Sequence, residues 1–191
     1  KIKELLRDSN QTKALIMTVN SGMVPDDHWT QDVEIGGGRI IGEACHFIDL
    51  MRFIVGYRIV STHHEVLNDG KEKFADDTVS ISLKFEDGSI GTVHYYSNGN
   101  RKVSKERLEI FCGGSIIQLD NFRCLRTYGF KRFSGMKLRS QDKGHEAEIK
   151  LFISSLIRQD PSPIPFKEIV EITQSSFGGN VNECITPLPS K

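Results

Sequence analysis

Two alternating stretches joined by a turn signal constrain the fold of this chain most strongly. In residues 76–86, one face is apolar and carries Val79, Ile81, Leu83 and Phe85. Asp87 and Gly88 follow, a pair typical of a two-residue β-hairpin turn, and residues 89–98 supply the predicted return strand. Apolar alternation with a period of two predicts strands that bury one face. The centre of the chain is therefore expected to be an antiparallel sheet.

Further strands and helices are predicted on both sides of this hairpin. β-rich runs occupy residues 13–22, 57–67, 107–113 and 115–121, with shorter candidates around 124–130 and 136–140. Apolar residues at helical spacing predict helices at 1–8, 39–55, after Gly144, and from Phe166 to about Ser176. This order predicts an α+β fold, with one largely antiparallel open sheet and helices packed on one face. Residues 1–176 are expected to form one domain and residues 177–191 a tail.

Composition excludes several classes of partner. The 191 residues contain 25 Lys and Arg and 25 Asp and Glu, so the formal net charge is zero. A neutral chain is not expected to capture nucleic acid or anionic lipid broadly. No apolar run approaches the roughly 20 residues of a membrane helix. We therefore expect neither nucleic acid nor membrane as a partner.

The four cysteines and the beginning of the chain point to cellular context. No cysteine forms a Cys-x-x-Cys pair, and the spacings match no zinc template. Reduced thiols in a cytoplasmic protein without a metal are therefore expected, rather than disulfides. A helix is already under way at Lys1, with no signal peptide, which predicts a piece of a larger chain; a processed N-terminus is the alternative.

A polar helix face after three glycines is the main candidate site. Gly36 to Gly38 precede a helix in which four residues recur at steps of four, three and three: Arg39, Glu43, His46 and Asp49. This spacing predicts one face, turned away from the apolar stripe. A carboxylate one turn away can fix an imidazole tautomer, and such a histidine is a competent general base. The alternative is an ordinary solvated face of an amphipathic helix.

The loop before the glycines carries the only tryptophan. Residues 26–29 place two carboxylates, an imidazole and Trp29 together. An aromatic ring beside carboxylates is common in sugar-binding sites, although the same composition occurs in ordinary surface loops. The glycines themselves follow this polar loop rather than a strand, so they lack the context of a dinucleotide-binding fingerprint.

The stretch GGGRIIGEACHFIDLMRFIVG (36–56) resembles the glycine-rich segment and His-x-x-Asp helix of the Gfo/Idh/MocA oxidoreductases. HYYSNGNRKVSKERLEIFCGG (94–114) and IIQLDNFR (116–123) are similar to the C-terminal sheet of that family. The resemblance covers residues 1–175 and is greatest to the branch in which this module ends a two-part dehydrogenase-like chain. Many members carry Asp four residues before the histidine, where this chain has Gly42.

The resemblance implies an enzyme part. An N-terminal Rossmann domain, absent from this chain, would bind NAD or NADP and supply the lysine of a Glu-Lys-Pro motif. His46 would act on a substrate hydroxyl, and Glu43 and Asp49 would orient it. The remaining candidates, Arg39, Trp29 and Asn20, would bind the substrate.

Three functions follow as hypotheses. The first is the substrate-binding and oligomerisation domain of an NAD(P)-dependent oxidoreductase acting on a hydroxyl-bearing carbon of a sugar or sugar nucleotide. The second is a non-catalytic assembly domain whose half-polar sheet face pairs subunits, and the third is a carbohydrate-binding module. A homo-oligomer is expected from the mixed, weakly charged face of residues 76–98.

Overall fold

One open sheet organises the protein. The computed structural model describes residues 1–7, 9–25, 27–32, 34–67 and 77–178. The strands are β1 (Ala14–Asn20), β2 (Ile59–Val66), β3 (Val79–Phe85), β4 (Ile90–Tyr96), β5 (Glu106–Cys112), β6 (Ser115–Asp120), β7 (Cys124–Tyr128) and β8 (Gly135–Lys137). Their order is β2-β3-β4-β1-β5-β6-β7-β8, and β1 with β4 is the parallel pair among otherwise antiparallel neighbours. The predicted α+β class is confirmed.

The helices follow the predicted stretches with one irregularity. They are α1 (Ile2–Leu6), a 3-10 turn (Trp29–Gln31), a π-helix (Ile40–Ala44), α2 (Cys45–Val55), α3 (His145–Arg158) and α4 (Phe166–Phe177). Gly56 ends α2 in the left-handed region, with φ of 82°, as a C-terminal glycine does. The π-helical first turn was not predicted, since apolar spacing alone does not distinguish it from an α-helical turn.

The core lies between α2 and one face of the sheet. Ile48 and Met51 of α2 are fully buried, as are Ile81 and Val93 of the central strands. Gly91 of β4 leaves space for the Met51 side chain, because an added Cβ would lie 2.8 Å from Met51 Sδ. A larger residue at this position would have to displace that side chain.

The opposite sheet face is open. Ser80, His94 and Tyr96 form a hydrogen-bonded cluster there, with Ser80 Oγ 3.1 Å from His94 Nδ1 and 2.9 Å from the Tyr96 hydroxyl. Ile16 and Phe111 add exposed apolar surface, each more than a third exposed. The mixed polar and apolar character predicted for this face is therefore present.

A buried ion pair fixes α4 to the rest of the domain. Arg52 Nε of α2 donates to Glu171 Oε1 at 2.9 Å, and the Ile59 amide of β2 donates to the same oxygen at 2.6 Å. Both charged side chains are about 9% exposed. One carboxylate thus joins two helices and an edge strand.

Several sequence-based predictions fall beyond the described residues. These include the whole of the turn predicted after the strand at 57–67, at residues 68–73, as well as Cys184 and almost all of the tail at 177–191. Cys45, Cys112 and Cys124 are free thiols, and burial raises the pKa of Cys45.

Within the described ranges, no helix is both long and apolar enough to cross a membrane, and no metal-binding group of His, Cys, Asp and Glu occurs.

Candidate active site

A π-helical turn lies between Arg39 and the candidate residues His46 and Asp49. Its residues, Ile40–Ala44, follow the three glycines directly, and α2 continues from Cys45. A π-helical turn is wider than an α-helical one and rotates the residues on either side of it relative to each other; such turns often lie at functional sites. The side chains at 39 and 46 consequently have different surroundings.

Arg39 is buried, which corrects the prediction that it faces away from the core. Its side chain is 6% exposed. Nη1 donates to the Gly22 carbonyl at 2.9 Å, and the guanidinium lies 5.4 Å from the centre of the Tyr95 ring. Asp77 lies 4.0 Å from Nη1. The buried guanidinium of Arg39 thus contacts a backbone carbonyl, an aromatic ring and two carboxylates.

Glu43 is the centre of a charged cluster. It accepts a hydrogen bond from the Tyr95 hydroxyl at 2.5 Å and another from Lys105 Nζ, and Arg39 Nη2 lies 3.6 Å away. Burial alone would raise the pKa of Glu43, but the bonds from Lys105 and Tyr95 lower it overall. Burial, and then the bond to Glu43, raise the pKa of Tyr95. Tyr95 is therefore a neutral donor and Glu43 an ionised acceptor at neutral pH.

His46 lies one turn further along and is exposed to solvent. Within the described residues no hydrogen bond or ion pair engages its imidazole, and Glu43 accepts instead from Tyr95 and Lys105. The expected hydrogen bond between the imidazole and a carboxylate acceptor is therefore not made in this structure. An exposed imidazole can be reached by the hydroxyl of another molecule, which proton transfer requires.

Asp49 is half-buried beside His46 on α2. Burial raises its pKa, and the neighbouring carboxylate of Glu168 raises it further, whereas His46 and Arg52 act in the opposite direction. Ionisation of Asp49 is thus less favourable in the folded chain than in the unfolded one. Removal of its charge should stabilise the fold at neutral pH.

We expect Asp49→Asn to increase the free energy of unfolding at pH 7 by about 0.5 kcal/mol, a value scaled to partial solvent screening. Folding raises the pKa of Asp49. The destabilisation caused by its charge is therefore absent below the ordinary pKa of an aspartate and develops as the pH rises through the pKa of the folded chain. The gain should therefore vanish near pH 3. Urea unfolding at several pH values measures it, with the exposed Asp160→Asn as control; an Asp49→Asn gain that is the same at pH 3 and pH 7 would exclude this cause.

Asn20 and Trp29 lie in different surroundings. The Asn20 amide donates to the carbonyls of Asn100 and Val103 at 2.8 and 3.2 Å, so it holds the loop that leads to Lys105. Trp29 is 61% exposed in the 3-10 turn. That turn packs on the glycines, because a Cβ at Gly36 would lie 2.5 Å from the Trp29 carbonyl.

The structure thus brings together only part of the predicted set. Arg39 and Glu43 form an ion pair, whereas within the described ranges no hydrogen bond or ion pair joins Trp29, Asn20 and His46 to one another. Tyr95 and Lys105 were missed. A signal was available for Tyr95, since a tyrosine on the apolar side of an alternating strand needs a partner for its hydroxyl; Lys105 has no comparable signal in a run of basic and polar residues.

The sequence matches the model of a known protein family. The family model described as the GFO/IDH/MocA C-terminal domain matches residues 3–117. The chain belongs to the GFO/IDH/MocA oxidoreductases as a C-terminal domain, which confirms the resemblance. No curated protein sequence matches the chain.

Solved structures share the fold at low identity. An oxidoreductase domain protein from Kribbella flavida has a TM-score of 0.75 and 12% identity, with 92% of this chain and 59% of that protein covered. UDP-N-acetylglucosamine 3-dehydrogenase from Acidithiobacillus ferrooxidans has a TM-score of 0.71 and 14% identity, with 92% and 55% covered. Aldose-aldose oxidoreductase from Caulobacter crescentus has a TM-score of 0.71 and 13% identity, with 92% of this chain and 57% of that protein covered. The chain spans little more than half the length of these structures.

Proposed function

We propose that residues 1–176 form the substrate-binding and oligomerisation domain of a cytoplasmic NAD(P)-dependent oxidoreductase that acts on a hydroxyl-bearing carbon of a sugar or sugar nucleotide. Family membership supports the oxidoreductase class. The names of two structural relatives, a UDP-N-acetylglucosamine dehydrogenase and an aldose oxidoreductase, support the substrate class. The observation that carries the proposal for this chain is the exposed, unengaged imidazole of His46 beside a half-buried Asp49.

The described residues do not fit a nicotinamide dinucleotide. The parallel pair of strands, β1 and β4, is separated along the chain by α2, β2 and β3, so these residues form no β-α-β unit of the dinucleotide-binding type. We therefore infer that a Rossmann domain preceding this one binds the cofactor. The cofactor would accept the hydride there, and not on residues of this chain.

The residues of this chain would bind and deprotonate the substrate. His46 accepts the hydroxyl proton on an imidazole nitrogen, and Asp49 stabilises the resulting imidazolium. Glu43 holds Lys105 in place, and the Lys105 side chain, 38% exposed, offers a positive charge to a phosphorylated sugar. Trp29 provides an apolar ring for a sugar face. The open sheet face would pair subunits.

The test measures turnover of aldoses and UDP-sugars by the complete polypeptide, with the absorbance of the nicotinamide cofactor as the readout. We expect substrate-dependent cofactor reduction by the complete polypeptide, and no tight binding of NADH or NADPH by the 191-residue chain in calorimetric titration. Low-micromolar binding by the 191-residue chain would contradict the assignment of the cofactor to another domain. Tight cofactor binding by the complete polypeptide with no turnover of any of these compounds would contradict the proposed substrate class.

The assembly function has its own supporting observation. The open face of β3 and β4 combines the Ser80, His94 and Tyr96 cluster with exposed apolar residues. Such a face suits a second sheet, so the alternative of a non-catalytic assembly domain predicts the same oligomer but no effect of His46 on any reaction.

A further inference from the structure

A buried carboxylate lies directly before β3. Asp77 is 6% exposed, and its Oδ2 accepts a hydrogen bond from Gln31 Nε2 at 3.3 Å. The guanidinium of Arg39 lies 4.0 Å from the same oxygen. The Thr78 hydroxyl donates to Oδ1 at 3.4 Å and is itself 2.8 Å from the hydroxyl of Ser97, at the end of β4. Because a buried charge is tolerated only where it is paired and hydrogen-bonded, the positions of these groups depend on one another.

Gln31 connects this carboxylate to the turn that carries the tryptophan. Trp29 and Gln31 are the first and last residues of the same 3-10 turn. The Gln31 side chain is buried against the domain, whereas the Trp29 ring projects into solvent. A single 3-10 turn is held by few backbone hydrogen bonds of poor geometry, so its orientation depends on what its side chains contact. The bond from Gln31 to Asp77 therefore fixes the direction in which Trp29 points.

Arg39 extends the contacts of Asp77 to the other side of the site. Its Nη2 lies 3.6 Å from Glu43 Oε2, and Glu43 accepts a hydrogen bond from Lys105. One guanidinium thus lies between the carboxylates of Asp77 and Glu43. The turn that carries Trp29 and the side chain of Lys105 are consequently joined by a continuous series of polar contacts that passes through Asp77.

We propose that Asp77 is a positioning residue of the substrate site, which acts through Gln31 to hold Trp29 in the orientation that contacts the sugar. The inference rests on the proposed function, because that function supplies the sugar. A ring that is already held in its binding orientation need not be ordered when the substrate arrives, and this strengthens binding. Loss of the link should therefore weaken substrate binding and leave proton transfer at His46 unaffected.

Fluorine NMR of the complete polypeptide, labelled with 5-fluorotryptophan, measures the mobility of the Trp29 ring directly. The Trp29 signal is assigned by its absence from the Trp29→Phe variant. Asp77→Ala should lower the transverse relaxation rate of this signal by about twofold or more, because a released turn moves faster. Gln31→Leu should have the same effect and leaves the pair of Asp77 and Arg39 in place, so it tests the link even if Asp77→Ala does not fold.

Glu171→Gln is the matched control, since Glu171 is also a buried carboxylate paired with an arginine but lies between α2, α4 and β2. We expect it to leave the relaxation of the Trp29 signal unchanged. An unchanged relaxation rate in Gln31→Leu would overturn the proposal. An equal reduction in Glu171→Gln would also overturn it, because the effect would then reflect general loosening of the domain.

Steady-state kinetics of the complete polypeptide give a second readout, with the aldose or UDP-sugar that is turned over fastest. Gln31→Leu should raise KM about three- to tenfold, the effect of ordering one further side chain on binding, and change kcat by less than about twofold. In a Trp29→Leu background the same substitution should leave KM unchanged, because the two residues act as a unit. Additive effects on KM would contradict the link between them.

The two readouts separate this proposal from the proposed function. If turnover occurs and the Trp29 signal relaxes alike in wild type and Gln31→Leu, the positioning role fails and the proposed function stands. If no aldose or UDP-sugar is turned over and the relaxation changes as expected, Asp77 does position Trp29, and the proposed substrate class fails by itself.

Discussion

In the complete polypeptide, His46→Ala should lower kcat by about 10²–10⁴-fold, the usual contribution of a positioned acid–base group, with a much smaller change in KM. The reason is that His46 is exposed, free of hydrogen bonds to described residues and adjacent to Asp49, so it can accept a substrate proton without losing another partner. Steady-state kinetics with the best sugar substrate measures the effect.

His63→Ala is the matched control for this variant. His63 is an exposed histidine on edge strand β2, where it lies 3.1 Å from Glu65. We expect it to retain wild-type kcat. If His46→Ala kept more than about a third of wild-type kcat, the histidine would have no part in proton transfer, and the solvated-face interpretation of the helix would be correct.

Glu171→Ala should reduce the free energy of unfolding by about 3–5 kcal/mol, the range for removal of one partner of a buried ion pair. The loss leaves the buried Arg52 guanidinium without its 2.9 Å acceptor and the Ile59 amide without its 2.6 Å acceptor. Urea unfolding of the 191-residue chain measures this change.

Glu168→Ala provides the comparison. Glu168 lies 3.6 Å from the same guanidinium but is 35% exposed, so its loss should cost about 0–1 kcal/mol. Similar costs for the two variants would show that burial of Glu171 is not what makes it important. A cost below about 1 kcal/mol for Glu171→Ala would contradict the anchoring of α4.

The strands were predictable because their signals are local. Alternation around Asp87 and Gly88 defined β3 and β4, and the register of one face follows from a period of two. The parallel pairing of β1 with β4 was not predictable in this way. It joins strands about 75 residues apart along the chain and depends on how α2 packs on the sheet.

The site was predictable at the level of its helix and less so at the level of its contacts. The helix predicted over residues 39–55 is present as the π-helical turn and α2, but the ion pair between Arg39 and Glu43 was not predicted. Arg39, however, is buried, and the partners of Glu43 come from β4 and from the loop before β5. Contacts such as that between Glu43 and Lys105, 62 residues apart, follow from the tertiary fold and not from local spacing.

The six histidines of this chain provide one direct measurement of the central claim. They include His28 beside Trp29, His46 on α2, His63 and His64 on β2, and His94 on the open sheet face. NMR of histidine-labelled complete polypeptide, loaded with oxidised cofactor, is recorded while UDP-N-acetylglucosamine or an aldose is added. We expect the imidazole signals of His46, and to a lesser extent those of His28, to shift and to saturate at the same substrate concentration as turnover. Turnover that saturates while the His46 signals stay unchanged would contradict it.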